Sequence, residues 1–471
     1  MEKDLLIKKY PYFGYSQNLI ECFSIIGYEE NSLPQIIEEF KANNNNNSFS
    51  PVILSSIISN RDYGIIDNDL IISQIFPENP AFINSNTITT NVRSGLNREI
   101  KEMTKTKNII YSFMIDSPDG KKKLFYTCFG FIFYEIYKYY DSNNNLFNLE
   151  EYFIPKAFCI ISQYSYFSLF HYICDNLYNI LVENSEKMPL ELIIYNIVNF
   201  IPSPINYNFN YNLFTYELEI PSYNLPQLSG YPYLDFDLTE IFNILPLNSI
   251  LEIFLLTLLE QSILFFSSNL EILNMVMFIF YSLNYPCNDS TYFWHIVSIS
   301  KKDLNEENRF VGQIMSSLLG VNTTYDESIN TFAFGDYHFI VDIDNKKVFL
   351  KESNNADKKE IENLTNLRSY FQNIIKEKEK NSDSIFLKQY IEQLKKDLEN
   401  ILTKEEQGNP KIKKDICFFD NPGEKEKNKL IQECFYNFIL NLLMYFYQKI
   451  NIDITLNKIK IIYTYFNSII F

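Results

Sequence analysis

Apolar positions, helix caps and strand signals agree with one another over the longest run of the chain between Leu245 and Ser300. Pro246, Asn248 and Ser249 mark a helix start, and Leu251, Phe254, Leu255, Leu258 and Leu259 give a helix over Ile250–Glu260 a wide apolar face. The run Ser262-Ile-Leu-Phe-Phe-Ser-Ser268 does not alternate and is bounded by polar residues, which suits a strand covered on both faces. Asn269 can cap a second helix over Leu270–Leu283, with Glu271 at its positive end and Tyr285-Pro286 stopping it. His295–Ser300 reads as the next strand. A strand, a helix of about four turns and a strand form a crossover unit, which is parallel and right-handed in nearly all proteins. An α/β core is therefore expected.

On the N-terminal side, Leu19–Gly27 and Pro51–Ile57 have strand composition, and Ile71–Phe76 before Pro77 continues a strand-and-loop pattern. Ile109–Ile115 and Lys123–Phe129 predict a hairpin through Ser117-Pro118-Asp119-Gly120. Asn43–Asn47 and Asn143–Asn145 read as solvated insertions. A strand over Lys156–Tyr164 and a helix from about Tyr166 to Leu181 follow, and Ile201–Gln227, rich in Asn, Tyr and Pro, reads as an irregular arm. Phe339–Asn345 is expected to be a strand turning at Asp344-Asn345 into Lys347–Leu350. Beyond Lys351 the chain becomes charged helix. Phe386, Leu387, Ile391, Leu394, Leu398 and Ile401 form one packing stripe, and Phe435, Phe438, Leu442 and Tyr445 another on a helix over Leu430–Ile450.

Composition narrows the function. With 41 basic and 58 acidic residues the formal charge is −17, which argues against nucleic acid as a partner, since neutralising phosphates needs a basic face. The first ten residues carry charges where a secretory signal needs an apolar core, and no charge-free apolar run is long enough to span a bilayer. The expectation is a soluble, cytoplasmic chain, peripheral on endomembranes at most. Its seven cysteines are scattered and never form a Cys-x-x-Cys pair, so neither a zinc site nor a disulfide framework is supported.

No phosphate-cradling, dinucleotide-binding, serine-hydrolase or His-Glu-x-x-His motif is present, and no cofactor is expected. His171, His295 and His338 lie far apart and read as structural or surface residues, and the Met275, Met277, Phe278 and Phe280 cluster reads as core. Asp342 and Asp344 alternate along a strand beside an Asn turn, which leaves a strand-end role, partner contact or acid–base work open.

The chain resembles the DENN domain family. The central pieces are Leu258-Leu259-Glu260, Ile263–Ser268, Ile272–Leu283 and Tyr285-Pro286, with Ser316–Val321 and Phe339–Asn345 as later motifs. The upstream pieces are Leu19–Gly27, Pro51–Leu54, Phe76-Pro77, and Tyr111–Asp116 with Asp119-Gly120 ahead of a Leu-Phe-Tyr strand. Two departures stand out: Cys287–Phe293 intervenes before Trp294-His295, and Ser replaces the Pro usual before Leu-Leu-Gly-Val.

The resemblance implies a two-lobed α/β architecture: a longin-like upstream module over residues 1–150, a central domain over 151–350, and a shortened helical downstream module over 351–471. It further implies a guanine-nucleotide exchange factor for a Rab-type small GTPase docked across the two lobes. Exposed loop residues there would be Gln163 and Tyr164, Trp294 and His295, and Asp344 and Asn345. Two other readings stay open. One is a GTPase-activating protein whose loop arginine, Arg93 or Arg98, stabilises the transferring phosphoryl group. The other is a non-catalytic GTPase-binding scaffold. Oligomeric state is left undetermined.

Overall fold

The computed structural model describes residues 18–42, 50–59, 68–76, 82–84, 106–116, 123–141, 148–182, 189–202, 209–213, 216–220, 235, 237–259, 261–284, 295–296, 318–321, 323–325, 339–350, 358–375, 385–402 and 425–450. It is a mixed α/β protein of two compact units, Met1–Tyr223 and Asn224–Phe471.

The N-terminal unit holds an antiparallel sheet. Its strands are β1 (Cys22–Gly27), β2 (Val52–Ile58), β3 (Ile83–Asn84), β4 (Lys107–Asp116), β5 (Lys123–Asp141) and β6 (Asn148–Ser162), in the order β2-β1-β6-β5-β4 with β3 against the outer part of β6. The predicted hairpin is present, and β5 runs on for twelve residues past Phe129 because its partner β6 begins eight residues before Lys156. Helix α1 (Leu33–Ala42), α2 (Asn68–Ile75), α3 (Phe167–Val182) and α4 (Leu190–Phe200) complete the layers.

Successive strand side chains point to opposite faces. Phe129, Phe131 and Phe133 pack on Phe170, His171 and Tyr178 of α3. Gly130 faces the other way, where a Cβ would stand 2.3 Å from Ile75 Cδ1, so α2 lies against the opposite face with the end of Ile75 over the glycine. At the outer end of the β5–β6 ribbon, α1 buries Ile36, Ile37 and Phe40 with Phe82, Tyr139 and Tyr152.

Two expectations fail in this unit. Residues 71–76 are not strand and loop: Asn68–Ile75 is a helix, in which Ile71 and Ile75, four residues apart, are both buried. The β-branched content hid that spacing. The supposed irregular arm contains a hairpin, β7 (Phe209–Leu213) with β8 (Tyr216–Ile220). Its signal was legible, since Tyr216, Leu218 and Ile220 alternate with Glu217 and Glu219.

The C-terminal unit is built around the stretch that the pattern singled out. A short helix α5 (Glu240–Ile244) precedes α6 (Leu247–Leu258), β9 (Ile263–Phe266), α7 (Leu270–Leu283), β10 (His295–Ile296), β11 (Leu318–Val321), β12 (Phe339–Asp342) and β13 (Lys347–Leu350). The sheet order is β10-β11-β9-β12-β13, with the first four parallel and β13 antiparallel. The strand-helix-strand unit is therefore parallel as expected, but β11 inserts between β9 and β10. Gly320 on β11 lets α7 approach, because a Cβ there would lie 2.5 Å from Met277 Sδ.

Three further helices, α8 (Lys358–Ile375), α9 (Ile385–Leu402) and α10 (Lys425–Ile450), complete the unit. The centres of the predicted stripes pack: Leu387, Ile391, Leu394 and Leu398 are buried on α9, as are Phe435, Phe438 and Leu442 on α10, while Ile401 and Tyr445 at their ends are half-buried. Phe254 of α6 meets Phe435 and Phe438 edge-on at ring separations of 4.7 and 5.6 Å.

Candidate functional site

The strands β9 and β12 are parallel, so their carboxyl ends reach the same edge of the sheet, the edge where open α/β sheets commonly engage ligands. Each runs into a polar segment there: Ser267-Ser268-Asn269 leads from β9 into α7, and Ile343–Lys346 turns β12 back into β13.

One carboxylate joins the two segments. Asp344 Oδ1 accepts from Ser267 Oγ at 2.8 Å, and Asp344 Oδ2 accepts from the Ser268 backbone N–H at 2.8 Å. Ser267 Oγ in turn accepts from Asn269 N–H at 3.1 Å. The Asn269 side chain caps α7 as predicted, accepting from Glu271 N–H at 2.9 Å and Ile272 N–H at 3.2 Å. The pairing of strands continues past both ends, with Ile343 N–H donating to Phe266 O and Ser267 N–H to Val321 O.

Asp342, 3 % exposed, is a different kind of carboxylate. Both its oxygens are held within the turn, by Asn345 N–H at 3.0 Å and by Asn345 Nδ2 at 2.8 Å. Asp342 and Asp344 therefore do not act as a pair: one is buried inside the turn and the other ties the turn to β9. This arrangement favours the strand-end role among the readings open to them. Lys346 closes the turn with φ of 56°, in the left-handed region, and its Nζ donates to Asn243 O at 2.9 Å. Tyr325 packs between Phe266 and Phe349, with ring separations of 5.4 and 4.7 Å.

The result is a rigid corner that leaves Asp344, Asn345, Lys346 and Lys347 exposed. Its carboxylates are engaged as acceptors within the corner itself. Among the described residues, no group of three His, Cys, Asp or Glu side chains comes together to hold a metal ion. The sequence pattern placed the turn at Asp344-Asn345, but not the part played in it by Ser267, Ser268 and Lys346. The signal for them was the Ser-Ser pair at a strand end, where a hydroxyl and a backbone N–H can reach across to the neighbouring strand end.

The other candidates fall elsewhere. Gln163 and Tyr164 follow β6 in the N-terminal unit, where Tyr164 N–H donates to Ser162 Oγ, and Thr127 Oγ1 donates to the carbonyls of Ser162 and Tyr164. Tyr164 corrects the expectation of exposure: it is completely buried, with its ring 6.3 Å from that of Tyr166. Its backbone is tied to Ser162 and Thr127, which draws the ring inward beside Tyr166. Gln163 is half-buried. His295 opens β10 opposite Leu319 of β11. Trp294, Arg93 and Arg98 lie outside the described residues.

No helix among the described residues is long and apolar enough to cross a membrane. No curated protein matches the chain. Residues 153–346 match the model of the DENN (AEX-3) domain, a segment that begins within β6 and ends at Lys346 in the turn just described. The corner formed by Ser267, Asp344 and Lys346 thus lies within the DENN domain that the chain carries over residues 153–346.

Proposed function

We propose that this chain is a guanine-nucleotide exchange factor for a Rab-type small GTPase in membrane trafficking. The match to the DENN domain over residues 153–346 carries the reading, because that domain is generally associated with exchange on Rab GTPases. In this reading residues 1–150 form a longin-like upstream module, 151–350 the central domain and 351–471 a helical downstream module, and the protein acts at the surface of endomembranes. The antiparallel sheet of one unit and the parallel sheet of the other support a two-lobed architecture.

The mechanism is differential binding. A GTPase holds its nucleotide and magnesium partly through switch segments that order around the phosphates. A surface that grips those segments in another arrangement binds the nucleotide-free form more tightly, and by linkage it weakens nucleotide binding by the same factor. GDP then leaves and GTP enters by mass action. The surface must be rigid for this, since a compliant one would follow the switches instead of holding them. The doubly tethered Asp344-Asn345 corner meets that requirement. Gln163, Trp294 and His295 are the further candidate contacts.

The test is release of fluorescent GDP from a panel of Rab GTPases, with and without the chain, in excess unlabelled GTP. Acceleration for one or two members is expected, and no acceleration for any member by the folded chain would reject exchange. Stimulated phosphate release with normal nucleotide release would point instead to GTPase activation. Asn345→Ala should slow exchange with the fold retained. If exchange and affinity are both unchanged, the corner is not part of the GTPase surface.

A further inference from the structure

Cys128 on β5 and Cys159 on β6 are far apart in sequence but adjacent in the sheet. Cys128 stands opposite Ile161 and Cys159 opposite Gly130, so the two cysteines are diagonal neighbours on one face of an antiparallel pair. Because Gly130 has no side chain, nothing on β5 stands directly across from Cys159. The two sulfurs are 3.1 Å apart, against about 2.05 Å in a disulfide. Both residues are fully buried.

We propose that Cys128 and Cys159 are a redox-sensitive pair, which a small hydroperoxide converts into an inter-strand disulfide stapling β5 to β6. One thiol gives up its proton and its sulfur attacks a peroxide oxygen. The O–O bond breaks, leaving a sulfenic acid and, from hydrogen peroxide, one water. The second sulfur attacks the sulfenic sulfur, the S–O bond breaks, and the departing hydroxide takes the second thiol proton as water. Two thiols and one hydrogen peroxide thus give one disulfide and two waters, with the two electrons lost by sulfur gained by the peroxide oxygens.

The surroundings select the oxidant. Burial excludes bulky disulfide reagents, so the oxidant has to be small and uncharged and to enter through local opening of the sheet. The hydrogen bond shared with Cys128 and burial both raise the pKa of Cys159 well above the ordinary thiol value, so the first step is slow. The second step is fast by comparison, because the partner sulfur is already in contact and captures the sulfenic acid before further oxidation. The staple sits one residue from Thr127, whose hydroxyl holds the Ser162 and Tyr164 carbonyls, so it rigidifies the segment that presents Gln163. The disulfide forms whether or not the chain acts on a GTPase.

The experiment treats the reduced full chain with hydrogen peroxide, then unfolds it, alkylates it and maps it by mass spectrometry without reduction. The expected result is the loss of two free thiols per chain and a dominant Cys128–Cys159 linkage that disappears with dithiothreitol. Chain unfolded in urea before treatment should spread its linkages over other pairs. Oxidation of half-buried Cys434 while Cys128 and Cys159 remain alkylatable would overturn the proposal, as would native linkages distributed like those of the unfolded chain. Amide exchange of β5 and β6 should slow in the oxidised wild type and stay unchanged in peroxide-treated Cys159→Ala. Equal exchange in oxidised and reduced wild type would refute the staple. The wild-type map decides the matter even if the variant does not fold.

Discussion

Arg368→Met tests how the helical segment after the sheet is held in place. Glu252 on α6 is 6 % exposed, and Arg368 of α8 donates from Nε to Glu252 Oε1 at 2.7 Å. Gln372 Nε2 lies 3.3 Å from both carboxylate oxygens, and Arg368 Nη2 donates to the Val348 carbonyl on β13. Removing the guanidinium leaves a buried carboxylate with only a neutral amide as partner, together with an unmet carbonyl on β13. Breaking one side of a buried ion pair costs about 3–5 kcal/mol, and because Arg368 is partly exposed water can enter, placing the expected loss near about 3 kcal/mol. Replacing both charges, as in Glu252→Leu with Arg368→Met, should recover most of that loss, since an apolar pair of similar volume carries no desolvation penalty. The assay is urea unfolding followed by far-ultraviolet circular dichroism, comparing wild type, both single variants and the double variant. A loss below about 1 kcal/mol for Arg368→Met would refute the reasoning, because an exposed pair contributes no more than that. A double variant as unstable as the single would refute it too.

Three further outcomes are expected. Gly320→Ala should destabilise the C-terminal unit by about 1–3 kcal/mol, since its Cβ would fall 2.5 Å from Met277 Sδ and 3.3 Å from Leu273 Cγ, so the buried Met277 side chain or α7 must give way; a smaller companion side chain in Met277→Ala should lessen that penalty when urea midpoints are compared. Lys346→Gly relieves a left-handed backbone worth about 1 kcal/mol but loses the Nζ contact to Asn243 O, so thermal melting should show a net gain of only a few tenths of a kcal/mol, and a clear loss would show that the contact dominates. Burial, with Asp397 and Glu433 nearby, raises Cys434 from 9.0 to about 11. The folded state therefore keeps a proton that the unfolded state releases: the stability this contributes is complete below pH 9.0 and lost as pH rises towards about 11. Wild type and Cys434→Ser should show diverging urea midpoints across that window, and parallel curves would contradict the shift.

Local signals reached furthest in the C-terminal unit. The helix over Leu270–Leu283 and its Asn269 cap are where the pattern placed them, because both depend on bonds within a few residues. The turn at Asp344-Asn345 was legible for the same reason, and so were the stripes on α9 and α10. The N-terminal unit was read less well. Asn68–Ile75 has the β-branched composition of a strand but forms a helix whose Ile75 packs over Gly130, a residue more than fifty positions away.

By itself, the sequence determined the mixed α/β class, the elements around Leu245–Ser300 and the family resemblance, since these rest on periodicity, caps and short motifs. Tertiary structure alone decided that β11 inserts between β9 and β10, that Tyr164 is core, that Asp344 ties its turn to Ser267 and Ser268, and that Cys128 touches Cys159. Each of these depends on strand order and register. Both are set by which apolar faces can be buried together across the whole unit, and no local stretch of residues carries that information.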